Sequence, residues 1–314
     1  MPVSVATQAA SAAVKRPRIK QSRASRAFDV GNYFLLALLG LVTIGPFLYL
    51  VFASLTESNY YRVVGVSISP QHWTLDSYLV LLGSASRIYQ ALRITLFITV
   101  VGTALSLLTT AGLAYGLSQR EVPGRAILLF YVFFTMLFGG GMVPYYLVVD
   151  WLGLVNTVWA LIIPMMVNPW NMFIMMKFFE TIPADLQDAA RIDGCSELAI
   201  FWRVIIPLSM PVMATIGLFY AVAYWNEWFW ATIFISKAEL MPLQVVLRGI
   251  LSQLLQVLDP QAAVDQAQMA QQVAPPVEVL RMAAIVVTIL PIALVYPFLQ
   301  RYFVKGVLIG AIKG

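Results

Sequence analysis

Six runs of roughly twenty apolar residues limit what this chain can become, because a hydrocarbon layer about 30 Å thick needs a helix of about that length. The runs cover residues 33–55, 88–117, 126–149, 158–179, 208–235 and 280–303. Across the 314 residues, 60% are hydrophobic and only 11% are charged, where a soluble domain averages about a quarter charged. The expectation is an all-α integral membrane protein with six transmembrane helices.

The lysines and arginines set the orientation, since they gather on the cytoplasmic side. With the N-terminus inside, fourteen of the twenty face inward: six in the first 30 residues, then Arg120, Arg125, Lys177, Arg191, Arg203, Arg301, Lys305 and Lys313. Arg62, Arg87, Arg93, Lys237, Arg248 and Arg281 face outward, which favours N-in and C-in. Residues 1–30 are Ala- and Ser-rich and then basic, with no apolar core before the charges, so they do not resemble a signal peptide. They suit a disordered cytoplasmic tail; a transit peptide competes, because no acid precedes Asp29. Two external loops are expected. Residues 56–87 contain Trp73 and Tyr78, and residues 236–279 are Gln-rich with Pro242, Pro260, Pro275 and Pro276. In the second loop Leu243, Val246, Leu247, Ile250, Leu251, Leu254 and Leu258 form a helical stripe, for the membrane surface or a partner protein. The one cysteine, Cys195, excludes an intrachain disulfide, and the one histidine, His72, lies outside any span and has no second ligand for a metal. The net charge of +5 comes from loop residues of a membrane protein and does not point to nucleic acid.

Between the fourth and fifth runs lies a charged stretch, residues 180–211, with Glu180, Asp185, Asp188, Arg191, Asp193, Glu197 and Arg203. A charge at a bilayer centre costs about 2.5 to 3.5 kcal/mol, so these seven would cost on the order of 20 kcal/mol and the stretch cannot span. Asp185 and Asp188 suit a helix N-terminus, and Pro183 suits a first turn. Gly194 marks a bend or a close contact. Leu198, Phe201 and Val204 or Ile205 then recur at helical spacing up to Pro207. Two short helices with a small-residue bend, lying across a membrane surface and able to enter a partner's groove, are expected.

The run Asp188-Ala189-Ala190-Arg191-Ile192-Asp193-Gly194-Cys195, with Ile205-Ile206-Pro207 after it, resembles the "EAA" loop of permease subunits in ATP-binding-cassette importers. The family pattern is E-A-A-x-x-D-G-A, a short gap, then I-x-x-P; this chain departs from it at Asp188 and Cys195. The tail from Leu299 to Gly306, closing at Gly310 to Gly314, resembles the end of carbohydrate-type permeases. The resemblance covers about residues 30–314 and implies a six-span permease domain in a bacterial inner membrane. It implies that Asp188, Ala189, Ala190, Asp193, Gly194, Cys195, Glu197 and Pro207 couple to a separate ATPase, with Lys305, Gly306 and Gly310 of the tail touching it. ATP and Mg would then belong to that ATPase, and this chain would carry no cofactor. The implied partners are a homologous second permease, two ATP-binding subunits, an extracytoplasmic solute-binding protein and an oligosaccharide substrate. An ordinary amphipathic interfacial helix is the plainer account of the loop.

The residues offer no catalytic set. There is no G-x-x-x-x-G-K-[ST], and Gly139-Gly140-Gly141 has no Lys or Ser/Thr after it, so it suits helix unwinding or close packing better than phosphate binding. A polar path is the remaining chemistry. Pro164, Asn168 and Asn171 share one helical face in the fourth run, with Trp170 beside them. Tyr220, Tyr224 and Glu227 share one in the fifth, with Trp225, Asn226 and Trp228 close by. Acid, amide and aromatic groups suit sugar rings, and ionisable groups within spans mark pathways. Interfacial aromatic belts and helix-to-helix hydrogen bonding explain the same residues structurally. An ion-coupled secondary transporter is the alternative; it would need several intramembrane acids and usually a repeat, and only Glu227 qualifies. A membrane-embedded enzyme lacks its catalytic constellation.

Overall fold

The computed structural model describes residues 23–83, 87–256 and 276–311. The described residues are helical, joined by turns, with one isolated antiparallel bridge between Thr56 and Trp73. They divide into a unit ending at Tyr49 and a unit beginning at Leu50. The first is the N-terminal part of helix α1 (Arg23–Leu55), which carries Pro46 internally. Of residues 1–30, the first 22 lie outside the described residues.

The second unit is organised on α4 (Arg87–Ser118), which packs most extensively against α11 (Met210–Trp225). Both helices present small or hydroxyl-bearing residues at the contact, and small residues let helix backbones approach closely. On α4 a buried stripe recurs every four residues as Gly102, Ser106, Thr110 and Ala114. Gly102 is required to be glycine: a Cβ there would lie 2.8 Å from the Tyr224 ring. At Gly217 on α11 a Cβ would come within 3.1 Å of Leu107.

Two helices are long and apolar enough to cross a membrane unbroken, Ser25–Leu55 and Arg87–Ser118. Three further candidates are bent pairs, so up to five crossings are present among the described residues by length and composition. The third run is not one straight helix. It breaks into α5 (Arg125–Leu137) and α6 (Met142–Trp151), which meet at 120°. The glycine triplet causes the break by unwinding. Gly141 sits at φ 84°, and neither it nor Gly139 has an atom within 4 Å of its Cβ position, so close packing does not explain them.

The fourth run is also interrupted. Two short 3₁₀ turns, Val158–Leu161 and Ile163–Met165, lead at 46° into α7 (Pro169–Phe179). Pro164 and Pro169 remove backbone donors, and a residue before proline avoids the α region. Asn168 is accordingly extended at φ −98° and ψ 118°, and its Oδ1 accepts from the Asn171 amide at 3.2 Å. The single helical face expected for Pro164, Asn168 and Asn171 therefore does not exist.

The loop that follows contains α8 (Ala184–Ile192), α9 (Glu197–Ile200), a π turn (Phe201–Ile205) and α10 (Ile206–Leu208). The segment Glu197–Leu208 meets α11 at 84°. Beyond α11, a break at Asn226 to Trp228 precedes α12 (Phe229–Phe234). Helix α13 (Leu243–Gln256) packs against α4 and against α14 (Val277–Ala311). Leu243 and Leu247 are buried among Leu81, Ile88, Trp225 and Ala284. Leu243, Val246 and Leu247 thus pack on this chain's own helices, so this part of the stripe does not face a membrane surface or a partner; the side chains of Ile250, Leu251 and Leu254 lie outside the described residues. Leu258, Pro260 and Pro275 lie outside the described residues, as do Ile312 to Gly314. The segment after α1 carries α2 (Ser58–Val63) and α3 (Asp76–Leu82); between them Trp73 Nε1 donates to the Ser67 carbonyl at 3.1 Å, and Tyr60 of α2 stacks on His72 at 4.0 Å.

Candidate functional site

Helix α8 ends in a tight cap. The Gly194 amide donates to the Arg191 carbonyl and the Cys195 amide to the Ala190 carbonyl, both at 3.0 Å. This is the Schellman arrangement, and it needs the left-handed conformation that Gly194 adopts at φ +80°. Gly194 is therefore a helix stop, and the next helix restarts on Ser196, whose hydroxyl accepts from the Ala199 amide at 3.3 Å. Ala190 and Cys195 pack inward against the main core. Leu186, Ala189, Ile192, Asp193 and Gly194 are exposed, and Ile192 is 87% accessible.

Arg191 fixes the angle between the two short helices. Its Nη1 reaches Asp188 Oδ1 and its Nε reaches Glu197 Oε1, both at 2.8 Å. The guanidinium is held more firmly protonated than usual, by Glu197 first and then Asp188. The Glu197 carboxyl is held below the usual carboxylate range, by Arg191 first and then by the Tyr115 hydroxyl. Asp188 and Glu197 remain 60% and 59% exposed, so each pair is worth only about 0.2–1 kcal/mol and serves geometry more than stability. Their charge is shared with Arg191; Asp193 has no ion-pair partner among the described residues.

Three contacts tie the loop to the end of α4 and the start of α5. Arg125 donates to the Leu117 carbonyl at 2.7 Å and pairs with Glu180 at 2.8 Å. Gln119 Nε2 donates to the buried Gln187 at 3.1 Å. The Tyr115 hydroxyl donates to Glu197 Oε2 at 2.9 Å. Pro207 lies in α10, just before the 84° turn into α11. Without its amide it cannot donate to a carbonyl in the preceding π turn.

A cleft of about 360 Å³ lies between α7 and α11, lined by Asn168, Trp170, Asn171, Phe219, Tyr220 and Tyr224. Four of the predicted pathway residues, Asn168, Asn171, Tyr220 and Tyr224, meet here. The tyrosine hydroxyls are also structural. Tyr220 Oη accepts from the Asn168 amide at 2.9 Å and bonds Thr110 at 2.7 Å. Tyr224 Oη bonds Ser106 at 2.8 Å and donates to the Ile162 carbonyl at 3.3 Å. Cavity lining and helix adhesion, posed as alternatives by the sequence, are here combined.

The other four residues do not line this cleft. Helix α11 ends at Trp225, so Glu227 leaves the face of Tyr220 and Tyr224. Its Oε1 instead accepts from the Trp230 amide at 2.7 Å, at the N-terminus of α12. Trp225 is buried in a second core with Leu243 and Ala283. Asn226 returns its amide to the Val222 carbonyl at 2.8 Å, and Trp228 lies under the Arg248 guanidinium at 3.4 Å. Lys305, Gly306 and Gly310 fall in the last turns of α14. Sequence reasoning missed Gly102, Ser106, Thr110, Tyr115 and Gln119. The four-residue repeat of small and hydroxyl residues in the second run was the available signal.

A helical membrane protein with broken spans, a polar cleft and a capped loop held on one long helix is a transport permease in its class. The chain belongs to the binding-protein-dependent transport system inner membrane component family, whose model matches residues 11–309. It is 45% identical to protein LplC of Bacillus subtilis, over 93% of this chain and 97% of that one. It is 40% identical to the polygalacturonan/rhamnogalacturonan transport system permease protein YtcP of the same species, over 92% and 99%. Among solved structures, a bacterial ABC transporter involved in import of the acidic polysaccharide alginate matches with a TM-score of 0.79. That match is 32% identical and covers 90% of this chain and 99% of that one. Membership of this family sets aside the ion-coupled secondary transporter. The protein is a membrane component of an ABC transport system.

Proposed function

We propose that this chain is one permease subunit of an importer that moves an oligosaccharide through the 168–224 cleft, driven by ATPases on other chains. The observation that carries this reading is that α4 holds both functional regions. Its Ser106 and Thr110 bond the cleft tyrosines, and its Tyr115, five residues further on, bonds the loop at Glu197. Five helical residues span about 7.5 Å, so a displacement of the loop is delivered to the cleft by one rigid helix. The exposed face of Leu186, Ala189, Ile192 and Asp193 is the surface offered to an ATPase subunit. Gly194 keeps that surface shallow.

In this reading α14 is a sixth crossing beside the five candidates above, both termini are cytoplasmic, and the loop therefore faces the ATPases. A homologous second permease closes the cleft from the other side, and a solute-binding protein delivers substrate from outside. The oligosaccharide class is supported by the names of YtcP and of the alginate transporter, and by Trp170, Phe219 and the amides of Asn168 and Asn171 in the cleft. Nucleotide-driven closure of the ATPases shifts the population between inward- and outward-facing states, since ATP binds one state better. The test is uptake of labelled galacturonate oligomers into vesicles carrying the assembled transporter. Uptake is expected to require ATP and to survive an ionophore; collapse by the ionophore with ATP intact would overturn the reading.

A further inference from the structure

A second polar cavity lies away from the cleft, between α13 and α14. It encloses about 190 Å³ and is lined by Gln244, Leu247, Arg248, Arg281, Ala284 and Thr288. Two guanidinium groups therefore border one small space between the two helices. Neither has a carboxylate partner among the described residues. Glu278, on the same helix as Arg281, is exposed and forms no ion pair with it. The Nε of Arg281 is buried and without a hydrogen-bond partner among the described residues. A buried donor of this kind costs about 1–3 kcal/mol, more if charged, unless something accepts from it.

Arg248 is prepared for the same task. Its guanidinium stacks on Trp228 at 3.4 Å from the ring centre. Stacking uses the flat face and not the N–H edge, which lies in the plane where a carboxylate is bound through two parallel hydrogen bonds. Polar lining continues with the Gln244 amide. The space is smaller than the roughly 300–1,000 Å³ of pockets that take a whole ligand. It suits one anionic group of a larger molecule.

We propose that Arg248 and Arg281 form an anion subsite for a sugar carboxylate, which makes this permease selective for acidic oligosaccharides. This rests on the transport reading above and names its substrate class. Trp228 supplies an aromatic support for Arg248, so its role is positioning.

The test uses the assembled transporter in vesicles, with a galacturonate trimer and its neutral methyl ester as probes. The wild-type chain carries the acid at a lower KM than the ester. Arg281→Gln raises KM for the acid at least tenfold with kcat and the ester little changed, and Arg281→Lys recovers part of the loss. Arg248→Gln, at an exposed position, gives the same pattern without threatening folding. Equal impairment of both probes by both Gln variants would overturn the subsite. So would an effect that follows the anionic phospholipid content of the vesicle and ignores probe charge, which would assign the arginines to a lipid headgroup. If wild-type vesicles carry both probes under ATP while the variants leave the KM for the acid unchanged, the subsite alone falls. Absence of ATP-driven uptake of either probe would sink the transport reading and the subsite together.

Discussion

Replacing Gly194 separates docking from folding at the loop. The residue sits at φ +80° and no atom lies within 4 Å of its Cβ position. A side chain there meets nothing among the described residues, so the intramolecular cost is backbone strain. For alanine in the left-handed region that cost is about 1–2 kcal/mol, which lowers the capped population five- to thirtyfold at the loop. Asparagine adopts this region far more readily, and Gly194→Asn should cost only a few tenths of that. If the exposed face is seated in an ATPase groove, the asparagine still intrudes on it. The account therefore predicts that Gly194→Asn and Gly194→Ala both uncouple ATP hydrolysis from uptake, while only Gly194→Ala loosens the loop. Loop order is read by amide exchange at Gly194 and Cys195, and coupling by uptake per ATP hydrolysed. Full coupling in Gly194→Asn, with a defect in Gly194→Ala, would reduce Gly194 to a helix cap and refute the docking argument.

Other outcomes follow from the same geometry. Gly102→Ala should destabilise the α4–α11 contact by about 1–3 kcal/mol, because the new methyl group overlaps the Tyr224 ring; thermal unfolding in detergent measures it. Tyr220→Phe removes the bonds to Thr110 and to the Asn168 amide, each worth about 0.6–1.7 kcal/mol in a membrane, and should lower both melting temperature and substrate affinity. Glu227→Ala should cost about 0.5–2 kcal/mol through the lost cap of α12, whereas Glu227→Gln keeps the acceptor and should be mild; a large uptake defect in the Gln variant would restore Glu227 to the substrate path. The Glu197 carboxyl titrates below its unfolded value, so its contribution is complete above about pH 4.3 and is lost as pH falls through the lower folded value. Loop amide protection, corrected for intrinsic exchange, should stay level from neutral pH to about 5 and fall only in stronger acid, and Glu197→Gln should abolish that fall.

Much of this was legible in the sequence, because lipid restricts a chain so strongly. Apolar run length located the helices, and seven charges between residues 180 and 211 excluded that stretch from the bilayer. Glycine and proline were the main source of departure. The triplet at Gly139 turned one expected span into two helices at 120°, and Pro164 with Pro169 broke the face assumed for Asn168 and Asn171. Asn168 still reached the cleft, because capping α7 holds it at the break. Glu227 misses the cleft for a related reason: a count of i, i+4, i+7 presumes a continuous helix, and α11 stops at Trp225. Periodicity on one helix also cannot show what a neighbouring helix brings. Ser106 and Thr110 gain meaning only once α11 places two tyrosines against them, and Tyr115 only when the loop folds back to it. Cys195 illustrates the same limit. The motif puts it in the coupling surface, yet the cap turns its side chain inward beside Ala190.

The most direct test exploits Ile192, which is 87% exposed on the outward face of α8. In a Cys195→Ala background, Ile192→Cys should crosslink to an engineered cysteine in the co-purified ATP-hydrolysing subunit, with a yield that changes when ATP binds. Labelling of that cysteine by an impermeant reagent added outside intact cells, with no crosslink in the assembled complex, would contradict the account.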